Sequence, residues 1–179
     1  GADLIVMATR TREGVEHWDR DSVASHVLHH APMPVLLVTA HAQHAWPSHR
    51  PPRILALLDG SARATSLIRH VAALAATLRA DVVLMRVVAS QHYVLAGSSP
   101  FMVPDANAEL IETRLYLEAY ATQLRLAGVP VRVHAEVGLR VPSIRTVAYQ
   151  EDADVVAVHA DNKAARAVID TVVTASYDH

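Results

Sequence analysis

Residues 53–61 read Arg-Ile-Leu-Ala-Leu-Leu-Asp-Gly-Ser, an apolar run that ends in a turn sequence. A second run, Asp-Val-Val-Leu-Met-Arg-Val-Val, occupies residues 81–88. Short continuous apolar runs bounded by turn residues are typical of strands buried on both faces of a parallel sheet. Between the two runs we predict a helix capped by Ser61, with an apolar stripe formed by Leu67, Val71, Leu74 and Leu78.

The same alternation continues towards the carboxyl terminus. We predict a long helix that begins at Asp105 and ends at Gly128, which would take the left-handed cap position. Residues 131–137 alternate between apolar and polar side chains, which predicts a strand nearer the edge of the sheet. A short helix over 142–149 and a strand over 154–158 follow. Strands that alternate with helices in this way predict an α/β fold with a doubly wound, mainly parallel sheet.

The amino-terminal residues carry a similar pattern. Residues 2–7 and 34–39 are apolar runs, and between them Ser22 is a suitable N-cap for a helix that extends to about His30. Residues 41–52 contain three prolines and show no periodicity, so they are predicted to be a linker.

One internal match suggests a duplication. Ala-Asp-Leu-Ile-Val-Met at 2–7 aligns with Ala-Asp-Val-Val-Ala-Val at 153–158, and a helix follows each run. We therefore expect residues 1–40 to be the carboxyl-terminal part of a first domain, and 53–179 to be a second domain that lacks its last strand. The chain would then be a fragment. Strand 35–39 is expected to pair at an open sheet edge, within the chain or in a dimer. Chance similarity between two buried strands of one domain is the alternative.

Composition excludes several classes of function. The chain has 16 basic and 18 acidic residues and few aromatic ones (two Trp, five Tyr and one Phe), which argues against a nucleic-acid partner. No Cys is present, so disulfides and thiolate metal sites are ruled out, and a cytoplasmic location fits. No apolar run reaches the ~18 residues of a membrane span. Nucleophile-elbow and Walker motifs are absent, so we do not expect an enzyme.

Two segments resemble the universal stress protein family. Residues 22–38, Ser-Val-Ala-Ser-His-Val-Leu-His-His-Ala-Pro-Met-Pro-Val-Leu-Leu-Val, together with 1–7, are similar to the end of such a domain. Residues 53–61 are similar to its start. The resemblance implies a five-stranded sheet with strand order 3-2-1-4-5. It also implies a homodimer or a pair of domains within one chain. Many members bind ATP or AMP, and others do not.

In the members that bind nucleotides, phosphates lie on a Gly-x2-Gly-x9-Gly-Ser loop after the fourth strand, where backbone N–H groups converge on phosphate oxygens. In the first copy every glycine position of this motif carries another residue, and only the serine remains: the matching residues are Ala8, Thr11, Asp21 and Ser22. In the second copy the matching positions begin at His159 and no glycine occurs after Gly138. Both phosphate loops are therefore degenerate.

The resemblance implies a better preserved base and ribose side. Asp59 corresponds to the family's acidic residue at the end of the first strand, and Val87 to the residue whose backbone contacts adenine. The candidate cofactor-binding residues are Asp59, Gly60, Val87, Gly138 and Ser22. Asp-Gly after a strand is also common turn chemistry, and Val87 is equally suited to a core.

Three functions remain open from the sequence. The first is a non-enzymatic stress-response protein without a cofactor, which acts by domain pairing and partner binding. The second is a stress regulator that binds ATP or AMP. The third is a metal-binding protein that uses histidines on the first helix and in the linker, because imidazoles three or four residues apart on a helix can share a metal ion. These histidines are His26, His29, His30, His41, His44 and His49.

Overall fold

The computed structural model of the chain describes residues 4–9, 23–39, 46–89 and 106–159. These residues fall into two compact units, one of which comprises residues 46–159. The predicted loop over 89–104 and the predicted last helix after Asp161 lie outside the described residues, except for Ala89. None of the helices in the described ranges is long and apolar enough to span a membrane.

The described residues of the smaller unit form two parallel strands and one helix. Strand β1 (Ile5–Thr9) is followed by helix α1 (Val23–His30) and strand β2 (Val35–Thr39). The two strands pair in parallel over their full lengths, from Ile5 opposite Val35 to Thr9 opposite Thr39. Strand 35–39 therefore pairs with the strand that precedes it in the chain. Ser22, the predicted cap of α1, lies outside the described residues.

The larger unit contains a four-stranded parallel sheet. Its elements in chain order are β3 (Arg53–Leu57), α2 (Ala64–Leu78), β4 (Asp81–Ala89), α3 (Ala106–Leu126), β5 (Val131–Gly138), α4 (Arg140–Gln150) and β6 (Val155–Val158). The strand order is β5-β4-β3-β6, which corresponds to 3-2-1-4 of the predicted doubly wound order. Strand β5 lies at the edge of this sheet, as its alternating sequence predicts.

The hydrophobic core lies between the sheet and the helices α2 and α3. Alternate residues of β3 and β4, such as Ile54 and Leu84, are fully buried there. Helix α3 contributes Leu117, Ala121 and Leu124, each at most 1% exposed. The opposite face of the sheet contributes further buried residues, namely Leu55, Leu57, Val83 and Met85. Both faces are therefore covered, as a parallel sheet requires.

The structure confirms one predicted helix terminus and corrects another. Helix α3 ends with Gly128 at φ +80°, where the Val129 N–H donates to the Leu124 carbonyl at 3.0 Å. The prediction that Ser61 caps α2 is wrong. Helix α2 begins at Ala64, its cap residue is Arg63, and no side chain makes a capping bond there.

Charged residues tie the linker to the amino-terminal edge of the larger sheet. The Arg50 guanidinium donates to both carboxylate oxygens of Asp154, at 2.7 and 3.1 Å. Asp154 also accepts the Arg53 N–H at 2.8 Å, so it satisfies the first donor of β3. The neighbouring Arg132 pairs with Glu151 at 2.8 Å. The side chain of Asp154 is 16% exposed, which makes its bonds harder for water to replace.

Replacing this carboxylate tests its contribution to stability. We expect Asp154→Ala to lower the free energy of unfolding by about 1–3 kcal/mol, because a largely buried N–H donor and a guanidinium lose their acceptor. Urea denaturation followed by circular dichroism measures the effect. Glu118→Ala is the control, since it breaks an ion pair with Arg125 in which both side chains are 44–45% exposed. If Asp154→Ala and Glu118→Ala lower the free energy of unfolding equally, the bonds of Asp154 contribute no more than an exposed ion pair, which would contradict the prediction.

Candidate functional site

The candidate site lies where the strands of the larger sheet end. Because all four strands are parallel, their carboxyl ends meet at one edge. This edge brings together the Asp59-Gly60 turn after β3, the end of β4 at Val87, the end of β5 at Gly138, and His159 after β6. Ligands of open α/β sheets bind outside the carboxyl ends of the strands. Four of the five predicted site residues therefore share this edge.

Asp59 shapes the turn that follows β3. Its Oδ1 accepts the Ser61 N–H at 2.9 Å, which explains why Ser61 begins a turn rather than a helix. Burial opposes the charge on Asp59, but hydrogen bonds from the Ser61 side chain and main chain outweigh it and lower the pKa of this carboxyl. His159 adds a small effect in the same direction. Asp59 is therefore an ionised acceptor at neutral pH.

Gly60 allows a close approach by Arg86 of β4. Its φ is +83°, a conformation that favours glycine, and a Cβ here would lie 2.8 Å from the Cζ and Nη2 atoms of Arg86. The guanidinium also lies over the ring of Tyr116 on α3, with Cζ 5.1 Å from the ring centroid. This distance is within the range of a cation–π interaction. The Arg86 head is thus held between the β3–α2 turn and helix α3.

Tyr116 belongs to a small aromatic cluster beside this guanidinium. Its ring meets that of Tyr120 edge to face, with centroids 5.3 Å apart, and the Tyr120 hydroxyl lies 3.3 Å from the Thr65 Oγ1 atom. The Tyr116 hydroxyl oxygen is buried, and among the described residues it has no hydrogen-bond partner within bonding distance. Burial is the main cause that raises the pKa of Tyr116 to about 12.

The main-chain groups of Val87 at the same edge lack a main-chain partner in the part of the chain that the structure describes. The Asp81 N–H donates to the Pro52 carbonyl, and the Leu58 N–H donates to the Met85 carbonyl, each at 2.8 Å. Odd-numbered residues of β4 therefore direct their main-chain groups towards β3. Val87 is next in this series, but β3 has already ended. Within residues 46–89 and 106–159, its N–H and C=O have no main-chain partner.

Gly138 has a packing role at the end of β5. A Cβ on this residue would lie 2.6 Å from the Oγ atom of Ser143, a buried residue of α4. Since the hydroxyl fills this space, the structure gives a reason for glycine here that needs no ligand. Gly138 remains a predicted site residue by its position at the edge.

The remaining predicted site residue, Ser22, lies outside the described residues. The same holds for Thr11 and Asp21, which replace loop glycines in the first copy, and for Asn162 and Lys163, where the match to the loop continues in the second copy. On α1, the rings of His26 and His30 stack with centroids 4.2 Å apart, and the His30 Nδ1–H donates to the His26 carbonyl at 2.8 Å. No group of three or more His, Asp or Glu residues in the described ranges could hold a metal ion.

Sequence reasoning missed Arg86 and Tyr116. Arg86 is the one charged residue inside the apolar run 82–88, which is a signal that could have singled it out. Tyr116 gives no comparable signal, because an aromatic residue on a helix is most simply interpreted as core. Their contact joins two elements that are distant in the chain.

The Tyr116 hydroxyl can be tested by removing it. We expect Tyr116→Phe to leave stability unchanged or to raise it, because the oxygen is buried without a partner while the ring keeps its contact with Arg86. In the parent protein the neutral phenol is favoured by folding. The contribution of this phenol to the free energy of unfolding is therefore fully present below pH about 10. It declines as the pH rises towards 12.

Two measurements check this expectation. Ultraviolet titration should detect one tyrosine with a pKa near 12 in the parent protein, and this step should be missing in Tyr116→Phe. Denaturation across alkaline pH should show a smaller decline in the variant. Tyr149→Phe is the control, since this side chain is 78% exposed. A marked destabilisation by Tyr116→Phe would mean that its hydroxyl does bond in solution.

Comparisons with known proteins agree with this architecture. The chain is similar to a universal stress protein family structure from Burkholderia pseudomallei (22% identity, TM-score 0.54), which covers 69% of this chain and 91% of that one. It is also similar to a universal stress protein from Archaeoglobus fulgidus (18% identity, TM-score 0.59) and to a functionally unknown protein from Pseudomonas aeruginosa (22% identity, TM-score 0.57). Each of these covers 96% of this chain, which spans 56% and 60% of their lengths.

At these identities the structural likeness establishes the fold. No curated protein matches the sequence significantly. The family model described as "Universal stress protein family" matches residues 1–39 and 52–173, which is most of the chain. The match includes both regions in which the sequence resembles this family and omits most of the predicted linker. The chain therefore belongs to the universal stress protein family.

Proposed function

We propose that the chain is a cytoplasmic, non-enzymatic stress-response protein that binds the adenosine part of ATP or AMP at the carboxyl edge of the larger sheet. The observation that carries this proposal is that the N–H and C=O of Val87 have no main-chain partner among the described residues, at the same edge as the ionised Asp59. Of the functions that the sequence leaves open, this geometry favours the regulator that binds an adenine nucleotide.

The main-chain pair of Val87 matches the edge of adenine that carries its amino group. One residue offers a donor and an acceptor side by side. Adenine presents the complementary pair, an amino donor next to a ring nitrogen acceptor, whereas guanine presents O6 beside N7, two acceptors. Guanine bound by this same edge would therefore place its O6 against a carbonyl oxygen. Main-chain groups that lack a partner away from water carry a free-energy cost, which adenine would relieve.

Asp59 is suited to the ribose. An ionised carboxylate only accepts hydrogen bonds and has about four lone-pair sites, so it retains capacity beyond its bonds with Ser61. Hydroxyl groups of a sugar are natural donors to such an acceptor. The lowered pKa keeps Asp59 charged at neutral pH, so this capacity persists under physiological conditions.

A glycine cradle for the triphosphate is not expected in the larger unit. His159 stands where the resemblance places the first glycine, and its side chain adds a Cβ and a ring where N–H groups would have to converge. We therefore propose that the preserved family positions recognise only the base and the sugar. The phosphate loops are still predicted to be degenerate.

Calorimetric titration tests this function. We expect adenosine to bind saturably and guanosine to bind at least tenfold more weakly, because of the mismatch at Val87 (about 1.4 kcal/mol per factor of ten). Val87→Pro removes the N–H, and we expect it to weaken adenosine binding about tenfold. This N–H has no partner within the sheet, so the substitution costs no strand-to-strand bond.

Two variants serve as controls. Val87→Ala keeps the main-chain groups and should bind adenosine like the parent protein. Asp59→Asn keeps an oxygen for the Ser61 N–H but loses the charge, and should weaken binding without changing the fold, as judged by circular dichroism. Absence of saturable adenosine binding, or equal binding of guanosine, would refute the proposed function.

A second candidate function, domain pairing and partner binding, is supported by the smaller unit. Residues of β1 and β2 that share a face include Val6 and Val38, which are 61% and 42% exposed. Faces of parallel sheets are normally covered, so exposed valines here favour association with a further surface. The separate family matches before and after the linker support an in-chain pair of domains, and a homodimer is the other arrangement proposed.

Sedimentation velocity tests the association. We expect the chain to form a dimer at high concentration, and we expect Val6→Lys combined with Val38→Lys to shift it towards the monomer of 19.4 kDa. Val23→Lys on α1 is the control, because this side chain is 75% exposed and lies on a helix. A monomer at every concentration tested would contradict the homodimer. If Val23→Lys weakens the association as much as the combined Val6→Lys and Val38→Lys variant, the face formed by Val6 and Val38 is not the cause of the association.

A further inference from the structure

Arg86 carries a charge that the described residues do not neutralise. It belongs to the same side of β4 as the core residues Val82 and Leu84, but its position near the end of the strand leaves it half-buried. Within the described residues its guanidinium makes no hydrogen bond and no ion pair. An arginine stays protonated in proteins and offers five N–H donors. A half-buried guanidinium without an acceptor therefore favours an anion that can reach it.

The position of this guanidinium is fixed by its surroundings. The Tyr116 ring lies on one side at 5.1 Å, and Gly60 leaves room for it at the β3–α2 turn. Tyr116 is in turn held against Tyr120, whose hydroxyl is close to the Thr65 side chain of α2. The Tyr116 ring and the turn contact the surface of the guanidinium without accepting hydrogen bonds from it. Its N–H donors can therefore still donate to a ligand.

The acidic residue at the β3–α2 turn, Asp59, already accepts hydrogen bonds from Ser61. Asp59 immediately precedes Gly60, yet its carboxylate accepts hydrogen bonds from Ser61 and forms no ion pair with Arg86. The two opposite charges therefore lie at the same edge without a direct ion-pair contact. An adenine nucleotide contains groups for both, since its ribose donates hydrogen bonds and its phosphate accepts them.

We infer that Arg86 receives a phosphate group of the nucleotide, and that the natural ligand is an adenosine monophosphate or a compound with one accessible phosphate monoester. This inference rests on the proposed function. The main chain of Val87 follows Arg86 directly, so the base and the phosphate would be bound by adjacent residues of β4. A guanidinium can bind a phosphate through two parallel hydrogen bonds. One guanidinium engages one phosphate group, so further phosphates add little.

Calorimetry with adenosine, AMP and ATP tests the inference. We expect the parent protein to bind AMP about tenfold or more tightly than adenosine, and ATP about as tightly as AMP, because a charge-assisted bond to one phosphate is the main difference. Arg86→Gln keeps a polar side chain of intermediate length but loses the charge. We expect its affinity for AMP to fall to its affinity for adenosine, which should remain that of the parent protein.

Several outcomes would overturn the inference. Equal affinities of the parent protein for AMP and adenosine would do so, and so would equal losses for both ligands in Arg86→Gln, which would indicate a structural role. If adenosine does not bind at all, the proposed function fails on its own. The inference is then decided by inorganic phosphate: a saturable shift of the Arg86 Nε–H resonance on phosphate addition supports the subsite, and its absence refutes it.

Two glycines provide a matched pair of variants. Gly60 and Gly128 have nearly the same φ, +83° and +80°, so alanine strains the backbone equally at both. Only at Gly60 would the new Cβ meet Arg86, whereas nothing lies within 4 Å of a Cβ at Gly128. We expect Gly60→Ala to reduce the preference for AMP over adenosine severalfold, and Gly128→Ala to leave it unchanged.

Combining the variants separates displacement of Arg86 from general strain. If Gly60→Ala acts by moving the guanidinium, it should have no further effect on the AMP preference once Arg86 is replaced by Gln. A preference that falls equally in Gly60→Ala and Gly128→Ala, or that falls further in the combined Gly60→Ala and Arg86→Gln variant, would contradict a phosphate contact through Arg86.

Discussion

Strand β3 makes its last hydrogen bond to β4 from the Leu58 N–H, whereas β4 remains paired with β5 through Ala89. Each parallel strand must satisfy its main-chain groups on both sides. Where one neighbour ends first, the longer strand keeps donors and acceptors that nothing in the sheet can take up. The candidate site depends on this offset, because it exposes the main chain of Val87 at the edge where Asp59 and Arg86 also lie.

The two edges of the larger sheet differ in how far their polar groups find partners. At the amino-terminal edge, Asp154 takes up both the first N–H of β3 and the Arg50 guanidinium, so a carboxylate and its donors satisfy one another. At the carboxyl edge, Arg86 has no counter-ion among the described residues and the Tyr116 hydroxyl has no partner. Satisfied groups contribute to stability, whereas unsatisfied ones lower it unless a ligand completes them. The second edge is therefore the one at which we propose that a ligand binds.

Local patterns predicted the elements but not the contacts between them. Apolar runs predicted the strands because burial on both faces leaves a direct record in the sequence, and Gly128 predicted a helix end because few residues tolerate its φ. Ser61 was wrongly predicted as a cap because two chemistries compete for the same turn, and Asp59 bonds the Ser61 N–H instead. The placement of Arg86 against Tyr116 needs the packing of α3 on the sheet, which no local pattern encodes.

In the proposed site, the environment of Arg86 explains how one side chain can bind a phosphate where the sequence predicts a degenerate glycine loop. A free arginine loses up to about 2 kcal/mol of rotamer entropy when it is immobilised by a ligand. Here the Tyr116 ring and the close-lying turn at Gly60 restrict the guanidinium before any ligand arrives, so much of that entropy is lost on folding. A backbone loop achieves the same pre-organisation with many N–H groups and suits several phosphates. A single fixed guanidinium is pre-organised for one phosphate group. It therefore selects for the first phosphate of a ligand rather than for a chain of phosphates.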